Sequence, residues 1–297
     1  MEIRVLKYFL ALAREQNITS AAEVLHITQP TLSRQLKELE DEIGKTLFIR
    51  GKRKITLTED GRLFRKRAEE IVELVNKTKF EFSTPSDEIA GEISIGSGET
   101  IGMRLIAKTI KNLNYNYPNI RYNLFSGNAE DVTEKLDKGL LDFGLLIEPV
   151  DVTKYEYIRL PLKDTWGLVM RKDNPLAQKE YIVPDDLVDI SLICSRQILE
   201  KSNLTKWLGN DFNKLNIIST YNLIFNAALM VDEGIGCAIT LDKLVNTGVD
   251  SNLCFIPLKN SKHSDLIFVW KKYQVFSKAA ESFLDELQKE INLYDEK

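Results

Sequence analysis

Residues 28 to 37 read Thr-Gln-Pro-Thr-Leu-Ser-Arg-Gln-Leu-Lys, a run that sets hydrogen-bonding and cationic side chains between leucines. At about 100° per residue, Leu32, Leu36, Leu39 and Ile43 lie within about 60° of one another on a helix, and Pro30, Ser33, Arg34 and Lys37 centre on the opposite side. Gln29 lies nearer the apolar stripe, but in the first turn its side chain projects past the helix end. Reading base edges in the major groove of a duplex requires short polar side chains near the N-terminus of one helix, and Gln29, Ser33 and Arg34 supply them. Further along, Arg50, Lys52, Arg53 and Lys54 crowd a turn between two β-prone segments. A basic turn alone reads as a solvated loop. Directly behind such a helix it reads as a wing whose cations reach phosphates or the minor groove.

Other chemistries find no support among the 297 residues. The two histidines, His26 and His263, fall in different segments, and Ser97 lies in Gly-Ser-Gly rather than in a nucleophile elbow, so no histidine-based triad is expected. His26 is expected to pack in the turn between two helices. Gly96-x-Gly98 is followed by Ile101 where a dinucleotide fingerprint needs glycine, and no phosphate loop occurs. Cys194, Cys237 and Cys254 are odd in number and widely spaced, which fits neither a disulfide framework nor a zinc site. Apolar packing is their expected role, with Cys194 at a strand end the one candidate for redox chemistry. No catalytic residue, cofactor or metal is expected.

Charge adds a weaker indication. The net charge of −4 divides into +4 for residues 1–66 and −8 for the remainder, as suits a polyanion contact confined to one end. The longest charge-free stretch, 215–231, carries Asn216, Ser219, Thr220, Asn222 and Asn226 and is no membrane span. An apolar run over 8–13 stops at Arg14, short of a signal peptide. The expectation is a cytoplasmic protein that makes no membrane contact.

The polar run needs a scaffold, and the flanking sequence supplies one. Ile3, Leu6, Leu10 and Ala13 mark a first helix ending near Gln16-Asn17; Thr19 is the expected N-cap of a second, whose Ala21 and Ala22 permit close approach. Thr28 caps the third, Pro30 sits in its first turn, and Gly44 closes it. Two helices joined by about three residues form a helix-turn-helix. Thr58 caps a fourth, along which Phe64, Ala68, Ile71, Val75, Thr78 and Phe82 recur at spacings of 4, 3, 4, 3 and 4. That heptad seam suits a second chain, or else docking on the protein's own C-terminal body. Thr84-Pro85-Ser86-Asp87 then forms a domain boundary.

Beyond Gly91 short strands and helices alternate, the pattern of an α/β sheet. Strands are expected over 92–96, 120–125, 141–147, 167–170, 192–194, 216–219, 236–239 and 266–270. Helices are expected over 104–113, 130–136, 199–208, 223–232 and 278–291.

The run from Phe9 to Phe64 closely resembles the DNA-binding domain of LysR-type transcriptional regulators. It contains Ile18-Thr19-Ser20-Ala21-Ala22, Thr28-Gln29-Pro30-Thr31-Leu32-Ser33-Arg34, Leu47-Phe48 and Leu57-Thr58-Glu59-Asp60-Gly61. The resemblance implies base contacts from Gln29, Pro30, Ser33 and Arg34, phosphate contacts from Thr28, Thr31 and Lys37, and wing contacts from Arg50 and Arg53. It favours dimerisation through the seam, and implies a dimer of dimers that contacts RNA polymerase. The alternating body is similar to the effector domain of the same family, which looks like a type 2 periplasmic binding protein, through Gly96, Leu141-Asp142-Phe143-Gly144, Leu168-Val169-Met170, Asn174-Pro175-Leu176 and Gly234-Ile235-Gly236. Where the family often has a proline near the next strand end, this chain has Ile239-Thr240. The implied organisation is a winged helix-turn-helix over 1–58, a linker helix and hinge over 59–88, and a two-lobed effector domain over 89–297. Lobe I would take 89–161 and 266–297, and lobe II 162–265, with crossovers near 160–163 and 263–266.

In such α/β folds ligands sit at the carboxyl ends of strands. Ser97, Gly98, Glu99 and Thr100 follow one strand, Asn128 lies after a second, and Ser195 and Arg196 follow a third, so these residues are the expected lining of a small-molecule effector site. Ser97 and Thr100 read as donors, and Arg196 as a counter-charge for a carboxylate. Glu99 disfavours an anionic effector and suits a cationic or hydroxylated one.

Overall fold

A computed structural model describes all residues except 52–53, 83–87, 197–206, 209–213, 262 and 296–297. The chain divides into two compact units, Met1–Ser83 and Thr84–Lys297.

In the first unit, helices α1 (Ile3–Glu15), α2 (Ile18–Val24) and α3 (Gln29–Ile43) precede a hairpin of β1 (Phe48–Arg50) and β2 (Ile55–Leu57) and helix α4 (Glu59–Glu81). Asn17, not Thr19, caps α2: its side chain accepts the backbone N–H groups of Thr19 and Ser20 at 2.9 and 3.2 Å. Thr19 lies inside the first turn. The other expected caps are in place, with Thr28 on α3, Thr58 accepting the Gly61 N–H at 2.8 Å, and Gly44 left-handed at φ 71°. His26 does not pack in the turn; its backbone is left-handed at φ 53° and its side chain is exposed. Leu6, Phe9, Leu32, Leu36, Leu39 and Leu47 form the core, and the small Ala21 and Ala22 let α2 lie close against it. The Phe9 ring meets Phe48 and Phe64 at 4.9 and 4.8 Å between centroids.

Those contacts revise the heptad seam. Phe64, Ala68 and Ile71 face the core of their own domain, with Ala68 fully buried there. Close packing on the hairpin explains why position 61 is glycine, since a Cβ there would stand 2.1 Å from the Leu47 carbonyl oxygen. Phe82 is 86% exposed and Thr78 is exposed. The exposed apolar side chains in the middle of α4 are Leu63 and Leu74, 61% and 42% exposed, which lie beside the expected seam rather than on it.

The second unit holds two five-stranded sheets. Strands β3 (Gly91–Ser97), β4 (Ile120–Ser126), β5 (Phe143–Ile147), β6 (Tyr155–Asp164) and β12 (Ser264–Lys271) stand in the order β4-β3-β5-β12-β6. Strands β7 (Trp166–Arg171), β8 (Ser191–Ser195), β9 (Asn216–Tyr221), β10 (Cys237–Leu241) and β11 (Leu253–Pro257) stand in the order β11-β7-β10-β8-β9. In each sheet three strands run parallel and antiparallel partners complete it, namely β12 with β5 and β6, and β7 with β10 and β11. Helices α5 (Met103–Asn116), α6 (Ala129–Asp137) and α8 (Lys278–Asp295) cover the first sheet, and α7 (Ile224–Asp232) packs on the second. Phe143, Phe268 and Phe283 stack at the centre of the first lobe with ring centroids 5.0 to 5.8 Å apart.

The first crossover is the single residue Thr165, between β6 and β7. The segment 160–163 expected to make it is strand instead, paired with β12 through Lys163↔Asp265 and Asp164↔Ser264. The second crossover runs from the end of β11 into β12. Most of the expected helix 199–208 lies outside the described residues; its Trp207 indole donates to the Lys259 carbonyl at 2.6 Å.

Candidate functional site

Two places gather the expected functional residues, one in each unit. On the first unit, Pro30, Ser33, Arg34 and Lys37 from α3 and Arg50 from β1 border one open groove, together with Glu38, Thr46 and Phe48. Burial of Leu32, Leu36 and Leu39 holds the outer face of α3 toward this groove. Thr28, Gln29 and Thr31 are exposed at the N-terminal end, where the Thr28 and Thr31 hydroxyls share a hydrogen bond of 2.8 Å. The wing is held by Gly51 N–H donating to the Lys54 carbonyl at 3.1 Å and by Ile55 N–H donating to the Gln16 carbonyl at 2.8 Å. Arg53 lies outside the described residues.

The cations of this groove have acidic neighbours along the same helix. Lys37 Nζ is 2.8 Å from Asp41, and that hydrogen-bonded partner raises the ammonium above its ordinary value. Arg34 Nε is 3.8 Å from Glu38, which also accepts from the Gln35 amide at 2.7 Å. Both ion pairs are exposed, and exposed pairs stabilise little. They are easily given up to a competing anion. Glu40 is committed elsewhere, its carboxylate accepting the Leu47 and Phe48 N–H groups at 2.6 and 3.2 Å and so fixing the hairpin to α3.

In the second unit a cavity of about 70 Å³ lies between the two lobes at the carboxyl ends of β3, β5, β9 and β10. Gly98, Glu99, Asn128 and Ser195 line it, as the sequence led one to expect. Ser97, Thr100 and Arg196 do not, and each departure has a physical cause. The Ser97 hydroxyl donates to the Gly98 carbonyl at 2.6 Å. The Thr100 hydroxyl donates to Asp164 at 2.5 Å while accepting the Gly102 N–H at 3.1 Å, so it is spent inside lobe I. Arg196 lies past the end of β8, outside the strand. It borders an adjoining concavity with Glu130, Asp131 and Lys154, which shares Asn128 and Ala129 with the cavity.

Sequence reasoning missed Trp166, Tyr221, Asn222 and Thr240, all of which line the cavity. Tyr221, Asn222 and Thr240 stand at the carboxyl ends of β9 and β10, so the strand-end rule would have found them had it been applied to every strand. Trp166 was hidden by the misplaced crossover. Its indole donates to Ser264 Oγ at 2.9 Å, and Thr165 Oγ1 lies 3.2 Å from His263 Nδ1, so side chains join the two crossovers. The Tyr221 hydroxyl donates to the Ile239 carbonyl at 2.7 Å, and burial pushes its phenol pKa well up.

Polar groups between the lobes are sparse and specific. A Glu99 carboxylate oxygen accepts the backbone N–H of Ile224, so a lobe I side chain caps the first turn of α7 in lobe II. Asp164, at the end of β6, is buried; burial raises its carboxyl pKa, opposed by the Thr100 hydroxyl and the Ile101 N–H. Its Oδ1 has no hydrogen-bond partner among the described residues. The Cys194 thiol is buried and pushed up to about 12, and Cys237 to about 11, so packing suits them and thiolate chemistry does not. Among the described residues no cluster of His, Cys, Asp and Glu is arranged to hold a metal, and no helix is long and apolar enough to cross a membrane.

Comparison with known proteins covers both units. The family model for the bacterial regulatory helix-turn-helix protein, lysR family, matches residues 3–62, and that for the LysR substrate binding domain matches residues 86–292. The HTH-type transcriptional regulator BsdA of Bacillus subtilis is 29% identical over 291 residues, covering 96% of this chain and 99% of its own. The HTH-type regulator YtlI of the same organism is 30% identical over 244 residues, covering 80% of this chain and 77% of its own. The crystal structure of full-length CbnR complexed with its target DNA aligns over 98% of this chain and 100% of that one, with a TM-score of 0.77 and 19% identity.

Proposed function

The chain belongs to the LysR family of DNA-binding transcriptional regulators, which join a helix-turn-helix to a substrate-binding domain, and we propose that its own DNA contacts are made by the groove between α3 and the wing. Gln29, Pro30, Ser33 and Arg34 read base edges; Thr28, Thr31, Lys37, Arg50 and Arg53 hold phosphates. The convergence of Pro30, Ser33, Arg34, Lys37 and Arg50 on one open groove carries this reading. CbnR, crystallised with its target DNA, shares the fold and supports it. Selection of binding sites from random duplexes tests it. Arg34→Ala and Ser33→Ala proteins are expected to lose preference at individual base positions, and unchanged selectivity would remove both from the reading set.

In the second unit the effector is held in the cavity between the lobes, by Gly98, Glu99, Asn128 and Ser195 with Trp166, Asn222 and Thr240. Ligand binding there acts on DNA only by favouring one arrangement of the lobes over another. The protein works as a homodimer and dimer of dimers, contacts RNA polymerase, and resides in the cytoplasm. The dimer surface on α4 is the stripe of Leu63, Leu74 and Thr78, which lie within about 60° of one another at 100° per residue. It borders the core-facing Ala68, which is buried, and Phe64 and Ile71, which pack partly on their own domain.

A further inference from the structure

We infer that the cavity between the lobes takes a small organic cation, a short-chain primary ammonium, with Glu99 as its counter-charge. This inference rests on the reading of the cavity as the effector site and adds the class of the effector.

Three observations carry it. First, Glu99 is the only charged side chain among the described residues that line the cavity; the rest of that lining is apolar or neutral, from Leu145, Ile147 and Leu241 to Asn222 and Thr240. A buried carboxylate ligand requires a cation or free N–H groups. Arg196, the cation best placed in sequence to supply one, borders the neighbouring concavity instead. Second, the Ile224 N–H at the start of α7, where a ligand anion would dock, is already held by Glu99. An anionic ligand at that N–H would displace the carboxylate and then lie beside it at close range, where like charges repel. Third, the Oε2 contact leaves Glu99 Oε1 with no hydrogen bond to a described residue, on the wall of the cavity. It is an acceptor of the right charge.

Size and lining complete the description. A cavity of about 70 Å³ suits a small ligand. The alkyl part lies against Leu145, Ile147 and Leu241, beside Trp166. Glu99 belongs to lobe I, and Ser195 and Asn222 to lobe II, so an ammonium bound among them ties the lobes together.

The test uses full-length protein and three four-carbon probes, n-butylammonium and 1-butanol with five non-hydrogen atoms each and butyrate with six, each up to about 50 mM at constant ionic strength, read by calorimetry and by the shift in Tm. Butylammonium is expected to bind and to raise Tm, and butyrate to do neither. Glu99→Gln should weaken butylammonium at least about tenfold, the scale of a lost charge-assisted hydrogen bond, and leave 1-butanol unaffected. Glu99→Asp should restore part of the preference. A plug variant separates the class from the site. A Cβ at Gly98 would meet only Gly127 O at 3.7 Å and Ile147 Cδ1 at 3.8 Å, so Gly98→Leu grows into the cavity from an unstrained base. Butylammonium binding that survives Gly98→Leu places the ligand elsewhere and overturns the site itself. Butyrate binding that Gly98→Leu abolishes leaves the site standing and overturns the cationic class. Absence of butylammonium binding to the wild type at 50 mM, or equal affinity in Glu99→Gln, overturns the class as well.

Discussion

Lys37 gives the sharpest test of the proposed DNA surface, because its contribution is separable from base reading by its response to salt. The side chain is exposed on α3 and paired only with Asp41, so Lys37→Met removes a charge without opening the core. Each phosphate neutralised by a cation contributes about 0.9 to the slope of log K against log salt concentration on duplex DNA. A dimer loses two such contacts, so the slope should become shallower by about 1.8. At 0.1 M salt that corresponds to a loss of roughly 60-fold in affinity, and at 0.3 M to roughly ninefold, from the counterion term alone. Fluorescence anisotropy with a selected duplex at five or six salt concentrations measures both. The companion variant Asp41→Asn frees Lys37 from its partner and should tighten binding at every salt concentration with no loss of slope. An Arg34→Ala protein, if Arg34 reads a base, should weaken binding to the selected duplex by about 1–3 kcal/mol while approaching wild-type affinity on duplexes altered at that base pair. A Lys37→Met protein with the wild-type slope would refute the assignment of Lys37 to a phosphate.

The remaining expectations follow from packing and burial. Leu63→Asp with Leu74→Asp should dissociate dimers in sedimentation while the helix-turn-helix stays folded, whereas Ile71→Asp should destabilise that domain itself, since Ile71 packs on its core; the reverse result would return the dimer contact to the heptad seam. Asp164→Asn keeps an acceptor for Thr100 and removes a carboxyl whose pKa burial raises. The folded state holds that proton more tightly than the unfolded one, so wild-type stability should fall, relative to the Asn variant, as pH rises from the ordinary carboxyl value of 3.8 through the raised one, and a difference constant between pH 3.5 and 8 would contradict this. Cys194 and Cys237, buried with thiols pushed up to about 12 and 11, should escape alkylation at pH 8 in the native protein and react on unfolding, and native-state labelling at the rate of a free thiol would disprove their burial.

Much of the first unit was legible because its elements are short, periodic and locally capped. Helix α3 announced itself through leucines on one face and through Thr28 and Gly44 at its ends. Asn17 and Thr19 are both good cap formers two residues apart, and only backbone geometry chose the first. The seam on α4 was only partly legible, since the sequence left a second chain or the C-terminal body as its partner. A spacing of 4, 3, 4, 3, 4 says that one face is apolar but not what covers it, and here Phe9 of the same domain covers the first turns. In the second unit the missed strands β6 and β11 both lie at sheet edges, and β6 is interrupted by Pro161 with no clean alternation of buried and exposed residues, so neither the period nor the propensity of a strand marked it. Losing β6 displaced the crossover, and with it Trp166.

The cavity divides along the same line between local and distant information. That ligands meet the carboxyl ends of strands is a rule about position, and position alone delivered Gly98, Glu99, Asn128 and Ser195. It could not tell which hydroxyls would be consumed by neighbours: Thr100 is spent on Asp164, 64 residues away, and so contributes nothing to the lining. The same limit governs Glu99, whose residue type argued against an anionic ligand from the start. Its partner, the Ile224 N–H, is 125 residues distant and on the other lobe. Without it, Glu99 is an acid on a loop, open to neutralisation by any nearby cation. With it, the carboxylate already occupies the place where a ligand anion would bind, and the chemistry of the site is fixed by a contact that no local pattern records.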